Sequence, residues 1–163
     1  MKLKLFLLAA LFSFISFAGN AQEYKTGLGL RLGPFNGITV KHFISQKNAL
    51  EGIASFRWNG FIITGLYEWQ KGIKGANGLD YFLGLGAHVG SINGNDYYKY
   101  YRYNYDNYRN HLTVIGADFI IGLEYTFKEA PFNLGLDWKP AIDFGNYGWW
   151  GDGLALSVRY TFK

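Results

Sequence analysis

The 163-residue sequence carries no Cys, 22 Gly, 20% aromatic residues and a formal charge of +4. Without Cys there is no disulfide framework and no thiolate metal site. The small basic excess is clustered on no helix face and gives no reason to invoke nucleic acid, while Gly and aromatics both exceed ordinary soluble usage.

The chain opens MKLKLFLLAALFSFISFAGNAQ. Lys2 and Lys4 form a positive start, Leu5–Ala18 is a short apolar run, and Gly19-Asn20-Ala21 supplies small or turn-forming residues. This is the layout of a secretory signal peptide, with cleavage expected after Ala21. The run of about 14 residues falls short of the roughly 20 that a spanning helix needs. Residues 1–21 are therefore read as a signal peptide and 22–163 as one domain. That domain holds 14 Lys and Arg against 12 Asp and Glu, a charge of +2.

From Tyr24 onward apolar and polar residues alternate, with turn chemistry between the segments. The alternation predicts eight strands. They are Tyr24–Gly33, Gly37–Ile44, Ala49–Asn59, Phe61–Gln70, Leu79–Gly90, Leu112–Phe127, Phe132–Phe144 and Gly153–Phe162. The connections are residues 33–36, 45–48, an Asn59-Gly60 turn, 71–78, a long loop over 91–111, then 128–131 and 145–153. No helical periodicity or cap is expected after the signal. Pro140 cannot donate to a ladder, and a bulge near one rim is the expected accommodation. Register is least defined in the first three strands, where His42 shares a parity with Ile38, Val40 and Ile44.

Which face is inside decides the kind of protein. A strand sends alternate side chains to opposite faces. In a soluble, lipocalin-like binding barrel the apolar set would face inward. In a transmembrane barrel it faces lipid, and the polar, Gly-rich set fills the lumen. The polar face is too rich in Gly84, Gly86, Gly116, Gly122, Gly135, Gly153 and Ala155 for a solvated surface. Strands of about 9–13 residues match the 9–11 needed to cross a bilayer obliquely. Threading the chain up and down places Tyr24, Tyr67, Trp69, Tyr81, Tyr125, Phe127, Phe132, Tyr160 and Phe162 at one end. Phe56, Trp58, Phe61 and Phe144 fall at the other, as two interfacial girdles would. The expected fold is an all-β, eight-stranded antiparallel up-and-down transmembrane β-barrel.

The segments IGLEYTF (121–127), NLGLDWKPAIDF (133–144) and LSVRYTFK (156–163) resemble small bacterial outer-membrane β-barrel domains of the OmpA/OmpX-like group. The likeness extends over the whole domain and consists of patterns rather than signature motifs. It implies an outer-membrane location, insertion by the outer-membrane assembly machinery, and contact with outer-membrane lipid and lipopolysaccharide. The ending differs from the family's usual final Phe, because Lys163 follows Phe162.

By parity the lumen receives Arg31, Lys41, Glu51, Arg57, Glu68, Asp80, His88, Asp118, Glu124, Asp137, Lys139, Asp143 and Arg159. Buried charges are costly unless paired, so a salt-bridge network is expected in a barrel just wide enough for side chains to fill. A narrow channel is the alternative. Asp137 and Asp143 are six residues apart on one strand, roughly 20 Å, too far for a carboxylate pair. His88 and Ser91 do not reproduce the H-x-S spacing of outer-membrane lipid-modifying enzymes. A non-enzymatic chain without metal or cofactor is the reading. The 91–110 stretch holds seven tyrosines. Within it Tyr97, Tyr98, Lys99, Tyr100, Tyr101, Arg102, Tyr103, Tyr105, Tyr108 and Arg109 are candidate surface-interaction residues, since Tyr offers broad amphipathic contact and Arg and Lys meet anionic groups.

Overall fold

The computed structural model describes residues 24–101, 111–145 and 148–162. The stretch expected to be a signal peptide lies outside them. Ten strands form: β1 Thr26–Leu32, β2 Asn36–Phe43, β3 Asn48–Arg57, β4 Gly60–Gly72, β5 Leu79–Ile92, β6 Leu112–Thr126, β7 Phe132–Trp138, β8 Ala141–Asp143, β9 Gly148–Trp150 and β10 Leu154–Phe162. Among the described residues one helix forms, α1 Gly94–Tyr101, between β5 and β6.

All pairings are antiparallel, and the order β5-β4-β3-β2-β1-β10-β7-β6 is closed by β5 against β6. Because β8 continues β7 along β6, and β9 pairs with β8, the wall is a closed eight-strand barrel. Closure pairs each of the eight wall strands on both sides, which is how such a sheet satisfies its backbone without a covering layer, and leaves only the short β9 with an open edge among the described residues. One end carries the short turns around 44–47, 73–78 and 127–131. The other carries two tight hairpin connections, 33–35 and 58–59, and the two longest ones, from β5 to β6 with α1 and from β8 to β10. These are the turn end and the loop end.

The alternating residues sort as a barrel requires. Leu28 and Leu30 of β1, Val40 of β2, Ile63 of β4, Leu83 and Leu85 of β5, Leu123 of β6, Leu136 of β7, Ile142 of β8 and Leu156 of β10 all face outward and exposed. The charged set is buried within. Two aromatics expected in the outer girdles instead turn inward: Tyr24 and Trp58 are both buried, whereas Trp69, Phe56, Phe61 and Phe144 stay on the exterior.

Trp58 turns in because of the β3–β4 hairpin. Arg57 pairs with Gly60, so the two-residue loop is Trp58-Asn59, one position earlier than the expected Asn59-Gly60 turn. Both loop residues have positive φ, 47° and 48°, as a type I′ connection demands. A bulky residue in that region is uncommon and strained. Gly60 follows because a Cβ there would sit 2.1 Å from the Ser91 carbonyl oxygen.

The Pro140 irregularity is also resolved differently from a bulge. Ile121 pairs with Trp138 and Asp118 with Ala141, so three residues advance on both strands and register is kept. Phe119 N–H donates to the Pro140 carbonyl, while the reciprocal bond is missing because Pro has no N–H. The ladder is interrupted without an extra residue. In the first strands register is now defined: Thr26 opposes His42, and the Thr26 hydroxyl lies 2.8 Å from the His42 Nδ1 on the outward face.

Candidate functional site

The barrel interior holds two stacked polar groups and an aromatic plug. Nearest the turn end, Lys41 Nζ sits 2.8 Å from both Glu68 Oε2 and Glu124 Oε2. Glu124 also accepts hydrogen bonds from the Tyr24 hydroxyl (2.8 Å) and the Gln70 amide (2.7 Å). Arg159 donates to Glu51 at 2.6 Å and approaches Glu124 at 3.7 Å, while Thr39 donates to Glu51 and Arg159 reaches the Asn133 carbonyl. Each cation thus serves more than one acid. Arg31 makes a two-pronged pair with Asp137, at 2.7 and 2.6 Å. Such fork-to-fork geometry gives charge-assisted bonds their strength and direction. Between these groups Ile53, Leu66, Phe82 and Ile120 form a small apolar cluster, with Lys41 over the Phe82 ring at 4.2 Å.

Toward the loop end, Lys139 donates to Asp118, which also lies 2.7 Å from His88 Nδ1. The second His88 nitrogen is 3.4 Å from Asp143. Gly116 is required beside this ring, since a Cβ there would meet the Ile142 carbonyl at 2.1 Å and His88 Cε1 at 2.6 Å. His88 stacks on Trp150 with centroids 4.8 Å apart. Trp150 belongs to a buried cluster with Phe35, Trp58, Ile62, Ile92, Tyr97, Leu112, Val114 and Ala141. Trp58 meets Tyr97 edge-on at 4.9 Å and Trp150 at 5.5 Å. Aromatic pairs of this kind contribute about 0.5–1.5 kcal/mol beyond burial. The loop end is closed by this packing.

Over the plug lies a clamp. The Arg57 guanidinium stacks on Trp58 at 3.9 Å and Phe35 at 4.3 Å, and donates to both oxygens of Asp152. The Tyr100 hydroxyl donates to Asp152 at 3.0 Å. Burial disfavours the Asp152 carboxylate, yet the hydrogen bonds and charge of Arg57, with the Tyr100 bond, hold its pKa below the ordinary value. The same contact with Asp152 raises the Tyr100 phenol.

Of the lumen set, Arg31, Lys41, Glu51, Glu68, His88, Asp118, Glu124, Asp137, Lys139, Asp143 and Arg159 are buried. Arg57 sits at the loop-end rim of the plug. Asp80 is half-buried near the turn-end mouth. Tyr24, Gln70 and Asp152 join these networks without having been expected. Tyr24 lies on a strand end whose parity could be read either way, and Asp152 lies in a loop that periodicity does not describe.

The candidate surface loop is corrected more strongly. Residues 94–101 form a helix, contrary to the expectation that none would occur. Asn93 caps it, with Oδ1 accepting from the N–H groups of Asn95 and Asp96. Asp96 in the first turn and Lys99 in the last match the helix dipole. Asn59 donates to Asp96 at 2.7 Å and ties the helix to the β3–β4 hairpin. Tyr97, expected on the surface, is only 1% exposed in the plug, and Tyr98 packs partly buried beside it. Lys99 and Tyr100 are exposed. The Tyr101 side chain and Arg102, Tyr103, Tyr105, Tyr108 and Arg109 lie outside the described residues. An Asn followed three residues later by an acid was the cap signal available in the sequence; the Asn-Gly-Asn-Asp run hides it by also reading as a turn.

Neither a protein-family model nor a curated protein sequence matches this chain.

Proposed function

We propose that this chain is an integral outer-membrane β-barrel of the OmpA/OmpX-like kind, a non-enzymatic and non-conducting envelope protein whose loop end makes surface contacts. One observation carries the reading. All eight wall strands present Leu, Ile, Val or aromatic side chains outward, while Arg, Lys, Asp and Glu are paired inside. In water that arrangement exposes a continuous apolar belt far larger than a soluble monomer tolerates. In a bilayer it is the stable one, because hydrocarbon solvates the belt and the closed ladder satisfies the backbone.

Further support comes from the ends. Trp69, Tyr81, Tyr125, Phe127 and Phe162 ring the turn end, and Phe56, Phe61, Phe144 and Trp149 ring the loop end. From Tyr81 to Ser91, which opposes Phe61, is ten residues, or about 33 Å along a strand and on the order of 25 Å of height once tilted. The plug and the paired lumen favour a closed interior over a channel. Both His88 ring nitrogens face carboxylates, an arrangement suited to holding the network rather than activating a nucleophile. The exposed Tyr100 and Trp149 supply amphipathic surface for external contact, with lipopolysaccharide and outer-membrane lipid at the wall.

The test is membrane fractionation followed by electrophoresis in SDS with and without boiling. The reading predicts recovery with the outer membrane and a faster-migrating unboiled form. Recovery from the soluble periplasm with no heat shift would contradict it.

A further inference from the structure

The turn end, unlike the loop end, is open. A cavity of about 680 Å³ enters the barrel there, within the size range of small-molecule sites. Lys25, Lys47, Lys71 and Lys128 surround it, with Asp80 as the single acid of its lining. These lysines come from four separate segments: the approach to β1, the β2–β3 turn, the end of β4 and the start of the β6–β7 turn. The cationic excess therefore belongs to the mouth as a whole and not to one loop. A concave, cationic mouth with low-dielectric walls concentrates the field on an anion.

The floor adds a second requirement. Gln70 lines the cavity and is only 8% exposed. Its Nε2 donates to Glu124, whereas its Oε1, a buried acceptor, has no partner among the described residues. Buried acceptors without a donor are costly and therefore rare. The neighbouring Tyr24 hydroxyl is already given to Glu124. The floor thus lacks an O–H or N–H donor, while the rim sets four lysines against the one carboxylate of Asp80. Phe43, packed edge-on against Tyr24, adds apolar wall between the two, the surface that carbon-bound hydrogens of a sugar ring pack against.

We propose that the turn-end cavity binds a small hydroxylated anion, a sugar acid or sugar phosphate of mono- to disaccharide size. Lys25, Lys47, Lys71 and Lys128 meet its charged group, and Gln70 Oε1 accepts from one of its hydroxyls. The site stands on the cavity alone and holds whether or not the barrel spans a bilayer, so its failure and that of the membrane reading are separate results.

The test is isothermal titration of the intact chain in zwitterionic detergent with D-glucuronate, glucose 6-phosphate, glucose and inorganic phosphate. At least one charged sugar should saturate the site, and comparison of the two distinguishes carboxylate from phosphate recognition. Glucose and inorganic phosphate should each bind about tenfold more weakly, since each lacks half of the recognition. A Lys47→Gln/Lys71→Gln double variant, altered only at exposed side chains, should weaken charged-sugar binding about tenfold and flatten its salt dependence. Its circular dichroism should be unchanged. The proposal is overturned by no saturable binding of either charged sugar, by glucose or inorganic phosphate binding as tightly, or by an unaffected double variant.

Discussion

The two ends of the barrel share one wall and differ in everything above it. At the loop end, Trp58, Tyr97 and Trp150 fill the bore, and Arg57 and Asp152 clamp the packing from outside. At the turn end, lysines and a half-open cavity lead down to Gln70 and the Glu124 network. Barrel closure therefore does not decide access. An eight-stranded wall leaves room for only one layer of side chains across the bore, so aromatics at one mouth seal it and short polar turns at the other leave a vestibule. Among the described residues the interior is open at the turn end and packed at the loop end.

Paired substitutions break or sharpen this contrast. The largest effect is expected from Trp150→Ala, which empties the middle of the plug. Loss of a buried aromatic costs about 3–5 kcal/mol, whereas Lys128→Gln on the open mouth should stay within about 0.5 kcal/mol. Urea unfolding of both variants in lipid measures the gap. Equal losses at the two ends would show that the loop end is not the packed one.

A smaller effect concerns the clamp. Asp152→Asn, at a partly exposed site, should cost about 1 kcal/mol. The sign of its pH dependence follows from the lowered Asp152 pKa. A carboxyl held down in the folded state stabilises fully above its unfolded value of about 3.9. That contribution is lost as pH falls through the lower folded value. Stability of the native chain should therefore decline below about pH 4 partly through this group, and the Asn variant should show a shallower decline. Identical pH profiles would remove Asp152 from the clamp.

Much of the wall was legible in the sequence because a strand has a period of two and needs no knowledge of its neighbours. Leu134, Leu136, Trp138 and Ile142 fall outward and Asn133, Asp137, Lys139 and Asp143 inward on that basis alone. What the period cannot see is the loop end. Trp58 reads as a girdle residue until a positive-φ turn swings it inward. Tyr97 reads as exposed until Asn93 starts a helix that lays it on Trp58. Tyr24 reads as an interfacial aromatic, but the strand begins at Thr26, and the ring folds in to Glu124. Pro140 shows the converse: the missing donor was visible, but only the pairing reveals that register survives it. Partners such as Arg57 and Asp152 are 95 residues apart and meet only because the barrel closes.

The account rests on which side of the wall meets hydrocarbon, and spin labels at Leu123 and Leu156 test that most directly. In reconstituted bilayers both nitroxides should be relaxed by dissolved oxygen, which concentrates among acyl chains, and shielded from a water-soluble nickel chelate. Strong relaxation by the chelate, with little by oxygen, would place those leucines in water and contradict the account.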